Sequence, residues 1–411
     1  MARKTVALLS VIPLLGVSFT EARNFVPVVI NTWPFTEATS TAWQALEQGK
    51  ASLDAVEEGC ERCEQLQCDG TVGFGGSPDE DGQTTLDAMI MNGTSMEVGA
   101  VCDLQDVKEA VLTARLVMQH THHSMLAGLA AANFAVQMGL TPANLTTDAS
   151  SRLHADWQAN KCQPNFWKNV DPDPSTSCGP YKPNSMQSSV SAMQHTRHQQ
   201  SKDGAQGVAQ AVTTGRPQIS RYSHDTISMV ALDAQGNVAA ASSSNGATHK
   251  VPGRVGDACV AGGGAYAETG VGGCGSTGDG DIHLRFLPCF QVVENLRQTH
   301  WGVPVHPEAA CESAIRRILR VYPEYVGALV AVDSLGRHGA AAHGWNFSYS
   351  VRTTEMDKVE VIEIAPLKTH PSPEDDNERL CFAAHCCQSG AADTRNHSPR
   401  PSDPSASLLP N

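Results

Sequence analysis

Ser223-His224-Asp225-Thr226-Ile227-Ser228-Met229-Val230 decides how this chain is read. Before it, residues 181–222 are rich in Gln, Ser and Gly, with scattered His and almost no apolar periodicity. Such a composition cannot bury enough surface to order itself. After it, residues 226–232 read as an apolar strand, Asp233-Ala234-Gln235-Gly236 as a turn, and residues 237–244 as a returning strand. A loose linker therefore enters a buried hairpin at a threonine. Freed at that point, Thr226 would carry a hydroxyl nucleophile and an α-amine base in one residue. A strand that simply begins with a β-favouring threonine fits the same window.

The rest of the chain narrows the function classes. Against 29 Lys+Arg stand 43 Asp+Glu, a formal charge of −14 in 411 residues. That sign argues against a nucleic-acid partner and says nothing about fold. Arg3-Lys4, an apolar run over residues 5–17 and a small-residue exit near Ala22 have the layout of a secretory signal peptide over residues 1–22. That run is too short to span a bilayer, and no later stretch approaches the ~20 apolar residues a span needs, so no membrane partner is expected. Thirteen cysteines in a secreted chain suggest disulfides. Cys60-x-x-Cys63 with Cys68 lacks a following ligand set at zinc spacing. His120, His122 and His123 are irregularly spaced at a helix end and read as solvated, so no metal is expected. Gly270-x-Gly272-x-x-Gly275 lacks the strand–turn–helix context of a dinucleotide site. Neither a Gly-x-Ser-x-Gly elbow nor a His-Glu-x-x-His motif occurs. Asn92, Asn144, Asn346 and Asn396 head glycosylation sequons.

Periodicity predicts a buried strand over residues 25–30 and a helix over 36–48 with Ala38, Ala42, Ala45 and Leu46 on one face. It predicts a second helix capped by Ser52, with Leu53, Val56 and Cys60 inward. Short strands are expected over 71–101, broken at Gly75-Gly76 and Asn92-Gly93. Val107, Val111, Ala114 and Met118 mark a helix, and residues 126–138 an Ala-rich buried one. Later come a Gly-rich stretch over 262–280, helices near 290–297 and 308–320, and a hairpin over 326–345 turning at 333–337. This clustering suggests sheets covered by helices. Residues 366–411, rich in Pro, Ser and Asp, read as a disordered tail.

Several of these segments, in order, resemble the glycosylasparaginases (aspartylglucosaminidases), N-terminal-nucleophile hydrolases of the type 2 asparaginase family. The likeness is carried by Asn31-Thr32-Trp33-Pro34-Phe35, Cys68-Asp69-Gly70-Thr71-Val72-Gly73-Phe74-Gly75-Gly76, Thr84-Thr85-Leu86-Asp87, Cys162-Gln163-Pro164-Asn165, Cys178-Gly179-Pro180-Tyr181, His224-Asp225-Thr226-Ile227, Gly253-Arg254-Val255-Gly256-Asp257 and Thr277-Gly278-Asp279-Gly280-Asp281. It spans residues 26–349.

The resemblance implies an α+β fold, a four-layer αββα sandwich. It implies self-cleavage between Asp225 and Thr226, giving an α chain over 23–225, with a flexible linker over 182–222, and a β chain over 226–365. Thr226 would be the nucleophile and Ser244, where the family has threonine, its hydroxyl neighbour. Thr277 and Gly278 would form the oxyanion hole. Arg254, Val255, Gly256, Asp257, Asp279, Gly280 and Trp33 would line the substrate site, Arg254 taking an α-carboxylate and Asp257 an α-ammonium. Ser228 replaces a family glycine and, in a tight strand, would crowd the site. Cys63–Cys68 and Cys162–Cys178 match pairs the family joins. Cys311 matches a cysteine whose partner is Ala331 here. Cys102, Cys259, Cys274 and Cys289 are additional, with pairing left open. The implied substrate is a glycosylated asparagine, the assembly an (αβ)2 heterotetramer, the compartment the lysosome, and no cofactor is required. Two alternatives stand beside this. An L-asparaginase or β-aspartyl peptidase of the same fold usually carries Gly before its threonine, so Asp225 argues against it. An uncleaved, inactive secreted homologue is the other.

Overall fold

The computed structural model describes residues 25–184, 226–300 and 303–368. The expected signal peptide, residues 185–222 of the expected linker, Asp225 and the tail from residue 369 onward lie outside them. Along the described residues run β1 (Val28–Thr32), α1 (Thr36–Glu47), α2 (Ser52–Leu66), β2 (Leu86–Asn92), β3 (Val98–Leu104), α3 (Ala110–His120), β4 (Leu126–Ala127), α4 (Gly128–Gln137), α5 (Asp148–Ala159), β5 (Val170–Asp171) and β6 (Lys182–Pro183). Then follow β7 (Ile227–Leu232), β8 (Val238–Ser244), β9 (Ala265–Glu268), β10 (Gly272–Gly278), α6 (Gly280–Phe286), α7 (Pro288–Arg297), β11 (Thr299–His300), β12 (Val303–Pro304), α8 (Pro307–Leu319), β13 (Gly327–Asp333), β14 (His338–His343), β15 (Phe347–Thr353) and β16 (Glu360–Ile364). This is a mixed α+β fold.

Two sheets carry the architecture. The larger has the order β16-β15-β1-β7-β8-β2-β3-β4, antiparallel except for β3 with β4. The smaller has the order β14-β13-β10-β9 and is antiparallel throughout. The central strands β1, β7 and β8 are buried along their whole length, so their sequences run apolar and small rather than alternating. β7 and β8 lie against β10: a Cβ added at Gly273 would fall 2.6 Å from Val230 Cγ1, and one at Gly275 would fall 2.7 Å from Ser228 Cβ. Glycine is what lets the strands approach this closely. On the larger sheet's other face, α2 seats Gly59 against Met229 and Ala42. Behind the smaller sheet, α7 and α8 close a second core with Cys274, Cys289, Cys311, Ile315, Tyr325 and Leu329.

The expected hairpins at 226–244 and 326–345 form, as do the helices at 36–48, 290–297 and 308–320 within a few residues. Other expectations are corrected. Ser52 is the first helical residue of α2 rather than its cap; its N–H donates to Asp233 Oδ2, 3.1 Å away, and Ala51 is the N-cap. Residues 71–85 hold no strand. α4 is only half buried: Ala131, Ala132 and Ala135 face inward, while Leu129 stays 57% exposed. The Gly-rich stretch is strand, with β10 in the middle of its sheet. α5, capped by Thr147, and β15 and β16 were not among the expected elements, although Phe347, Tyr349 and Val351 alternate with polar residues along β15. Pro366 does not mark the end of order, because Leu367 N–H donates to Ala342 O at 2.8 Å and its side chain packs on the second core. The structure joins Cys63–Cys68, Cys162–Cys178 and also Cys102–Cys259. Cys60, Cys274, Cys289 and Cys311 are free thiols.

Glu64 is fully buried on α2. It accepts from the Ala110 and Val111 N–H groups at the start of α3, and from Ser243 Oγ at 2.6 Å. Burial outweighs these donors and pushes its carboxyl up from 4.5 to about 8. A carboxyl held protonated in the fold stabilises most below pH 4.5, and that contribution is lost as pH rises to about 8. His249, pulled down from 6.5 to about 4 by burial, acts below pH 6.5, and Lys250, pulled from 10.5 to about 8, acts above pH 8. Between pH 6.5 and 8 the melting temperature should therefore fall. Glu64→Gln should flatten that slope whatever its offset in absolute stability; a melting series with an unchanged slope would assign the loss to another group.

Candidate active site

Strand pairing sets the first half of the site. β7 pairs with β8 so that Ile227 faces Ser243, which brings Thr226 opposite Ser244. The Thr226 hydroxyl donates to Ser244 Oγ at 3.1 Å, and the Gly246 N–H donates to the same Oγ at 2.9 Å. Thr226 is buried, with 4% of its surface accessible. On its other side, the Thr32 hydroxyl donates to Thr226 O at 2.6 Å and accepts from the Ser228 N–H at 3.0 Å. A side chain of β1 thus replaces a backbone rung and pins the residue that leads β7.

Ser228 does not crowd the strand. Its Oγ lies 2.9 Å from Ser242 Oγ, 2.8 Å from Ser276 O and 3.1 Å from Gly264 O. The space comes from Gly275 directly across. A buried hydroxyl with partners on both sheets carries no desolvation penalty of the unsatisfied kind.

β10 delivers Thr277 and Gly278, both fully enclosed. Trp33 leaves β1 with a left-handed φ of 67° and donates from Nε1 to Thr277 Oγ1 at 3.0 Å. Its ring meets Trp345 and Phe347 edge-on. Because the indole supplies the hydrogen, the Thr277 hydroxyl keeps its own proton for an acceptor in the cleft. Gly278, at φ 128°, lies where a Cβ would fall 2.4 Å from Gly327 Cα.

The loop after β8 carries the charged groups. Asp87, paired with Ser244 from β2, accepts from the Gly256 N–H at 2.8 Å through Oδ2 and from the Asp103 N–H at 2.8 Å through Oδ1. Lys250 Nζ donates to Asn245 O at 2.6 Å and ties the same loop from inside. Arg254 Nη2 donates to Asp281 Oδ2 at 3.0 Å, while its buried Nε has no partner among the described residues. Burial works against the guanidinium's charge, but Asp281, Asp87 and Asp257 together outweigh it and hold its pKa above the ordinary value. Asp257 is likewise buried, which alone would raise its carboxyl; His283 and then Arg254 hold it below the usual range. Val255 is half-buried between them, packed on the main core.

Asp279 caps α6, accepting from the Ile282 N–H at 3.2 Å. Gly280 then passes so near the charged pair that a Cβ there would fall 2.4 Å from Asp257 Oδ1 and 3.1 Å from Arg254 Nη2. Thr226 and Ser244 are thus joined by a hydrogen bond, Ser244 to Gly256 through Asp87 of β2, and Arg254 and Asp257 to Gly280 by close approach, while Thr277 bonds to Trp33 and Gly278 packs on Gly327. Thr32, Asp87, Asp281, His283 and Tyr325 join them without having been singled out in the sequence. Three of these lie inside quoted motifs, Thr32 after Asn31, Asp87 after Leu86 and Asp281 after Gly280, so a signal existed. His283 and Tyr325 had none. Among the described residues no group of three or more His, Cys, Asp or Glu side chains could hold a metal ion.

The described residues thus hold a buried hydroxyl pair, an enclosed Thr-Gly strand end and a buried Arg and Asp on one loop. A family model described as asparaginase matches residues 17–361. Over 344 residues the chain is 45% identical to N(4)-(beta-N-acetylglucosaminyl)-L-asparaginase of Mus musculus, covering 84% of this chain and 92% of that one. It is 49% identical over 327 residues to a putative N(4)-(beta-N-acetylglucosaminyl)-L-asparaginase of Drosophila yakuba, covering 79% and 77%. It is 48% identical over 341 residues to the probable isoaspartyl peptidase/L-asparaginase 3 of Arabidopsis thaliana, covering 83% and 91%. These relatives make the chain an amidase, and it belongs to the asparaginase family.

Gly280→Ala should push Asp257 and Arg254 apart. The expected outcome is a rise in KM for aspartyl amides of about tenfold or more, since an ångström of misplacement in a site can cost that much. Steady-state kinetics giving an unchanged KM would show that the pair tolerates the added methyl.

Proposed function

We propose that the protein is an N(4)-(beta-N-acetylglucosaminyl)-L-asparaginase activated by its own cleavage between Asp225 and Thr226, in the lysosome after entry through the secretory pathway. The observation that carries this is the Thr226–Ser244 hydroxyl contact at the head of β7, with Arg254 and Asp257 on the adjoining loop. Sheets facing each other through β7, β8 and β10, with helices behind each, support the four-layer αββα arrangement.

Cleavage begins when Thr226 Oγ1 attacks the Asp225 carbonyl carbon. The peptide C–N bond breaks, the nitrogen gains a proton, and an ester forms. Water hydrolyses the ester and leaves Thr226 with a free α-amine. That amine has a reference pKa of about 7.7–8.0 and is a base for its own hydroxyl once burial lowers it. In turnover, Oγ1 attacks the side-chain amide carbon of the substrate asparagine. The Thr277 hydroxyl and the Gly278 N–H face the developing oxyanion. The glycosylamine leaves with a proton from the Thr226 ammonium, and water resolves the β-aspartyl ester. Arg254, with an uncommitted Nε, takes the α-carboxylate, and Asp257 the α-ammonium. An asparagine inside a peptide has neither charge and is rejected.

The name of the Arabidopsis relative motivates a second reading, a β-aspartyl peptidase or L-asparaginase. Turnover of glycosylasparagine is expected to exceed that of a β-aspartyl dipeptide in kcat/KM by tenfold or more, on the order of 1.4 kcal/mol; the reverse ratio would establish the second reading. On a reducing denaturing gel the wild type should give two bands, the smaller beginning Thr-Ile-Ser-Met, and Thr226→Ala a single full-length band. A single band for active wild type would refute the cleavage.

A further inference from the structure

Among the buried side chains that the mechanism does not use, one lies against Asp257. His283, on α6, has no accessible surface. Its Nδ1 lies 2.6 Å from Asp257 Oδ2, and its Nε2 lies 2.7 Å from the Tyr325 hydroxyl. Tyr325 is itself buried, and desolvation, with Asp279 and Asp257 nearby, keeps its phenol far above the ordinary range, so it remains an O–H. The Tyr325 backbone is held in turn: its carbonyl lies 2.5 Å from His343 Nδ1 and its N–H donates to Tyr322 O at 3.0 Å.

We infer that His283 is a positioning residue that fixes Asp257 for the substrate's α-ammonium, with Tyr325 fixing His283. This rests on Asp257 being the ammonium acceptor. An ionised Asp257 only accepts, so the imidazole nitrogen facing it carries the hydrogen. The Tyr325 hydroxyl at the opposite nitrogen prevents the ring from turning or presenting a lone pair to the carboxylate. Oδ2 is further occupied by the Ser276 hydroxyl at 3.3 Å, and Oδ1 is pressed toward the Gly280 backbone. The carboxylate therefore has one orientation, and a ligand ammonium meets it without first ordering it. A buried carboxylate stripped of its imidazole would pay for its desolvation by taking up a proton or turning.

Binding of the reaction's aspartyl product separates this role from a merely structural one. Titration calorimetry on the mature wild type should show L-aspartate binding well above succinate, which lacks the α-ammonium. His283→Leu should weaken L-aspartate by about tenfold or more, the scale of a lost hydrogen bond to a charged group, and leave succinate nearly unchanged. His283→Asn, whose amide N–H replaces that of Nδ1, should recover part of the loss. If His283→Leu does not mature, Tyr325→Phe provides the same reading with a smaller loss. Asp257→Asn separates the failures. If it keeps the preference for L-aspartate, the substrate reading itself is wrong. If it loses the preference while His283→Leu and Tyr325→Phe keep it, the positioning role alone is overturned.

A different observation carries a second inference. Cys102 lies before the proposed cut and Cys259 after it, and the two are bonded 157 residues apart. We propose that the mature α and β chains are covalently joined by this bond, which also anchors the loop two residues after Asp257. Without reductant the denatured wild type should run as one band, and with reductant as two; Cys102→Ser should give two bands in both. Two wild-type bands without reductant would overturn the link while leaving cleavage intact, and one band under both conditions would remove cleavage and link together.

Discussion

The site depends on how closely two sheets approach. β7 and β8 of one sheet lie against β10 of the other with almost no side-chain volume between them. Ser228 touches Gly275, and Val230 touches Gly273. Protein interiors are packed densely enough that a single added methylene is felt. Small residues along Ala239-Ala240-Ala241-Ser242-Ser243-Ser244 and Gly272-Gly273-Cys274-Gly275-Ser276-Thr277-Gly278 are therefore a condition of the fold. The same condition gathers hydroxyls, because serine is the polar residue that fits where alanine does. The chemistry of the cleft and its packing have one cause.

Placing so many polar groups where water is excluded requires partners for each. Ser228 bridges both sheets, Ser276 donates toward the Gly263 and Gly264 carbonyls, and Ser243 serves Glu64. Charges are treated the same way. Arg254 is surrounded by Asp87, Asp257 and Asp281, and Lys250 by Asp79, Asp87 and Asp103. A buried pair is weak evidence for stability, because desolvation can exceed the Coulombic gain. These pairs are better explained by position: the loop carrying Arg254 and Asp257 has little regular structure of its own and is held by its carboxylate contacts to β2 and α6.

The hairpin at Thr226 was legible because a polar linker gives way abruptly to an apolar strand, and the turn Asp233-Ala234-Gln235-Gly236 has its own chemistry. Arg254 and Asp257 were legible only through their resemblance to a family motif, since spacing alone fits a surface ion pair. Residues 262–280 read only as Gly-rich, because glycine carries no strand signal of its own. Here each glycine in β10 answers to an atom on another strand, and no local pattern records that. α4 was expected to be buried, but its apolar residues surround the helix and only part of them turn inward: Ala131, Ala132 and Ala135 are buried and Phe134 half-buried, while Leu129 and Ala130 are exposed. His283 and Tyr325 are 42 positions apart and meet only because α6 returns beneath the end of β10. A sequence read locally has no means of pairing them.

Rigid and adaptable parts of the site divide the work along physical lines. The hydroxyls proposed to align with a reacting carbonyl sit at strand ends fixed by register: Thr226 just before β7, Ser244 at the end of β8 and Thr277 on β10. A one-residue slip there would turn every side chain to the other face. The charged groups Arg254 and Asp257, proposed to meet the substrate's outer charges, sit on the loop after β8, close to the Gly280 backbone at the start of α6. Loops lack that intrinsic precision, so each charged head is buttressed from a regular element: Asp87 from β2, Asp281 and His283 from α6. The placement of Arg254 and Asp257 is thereby borrowed from secondary structure through side-chain contacts, and the loop itself contributes little beyond reach.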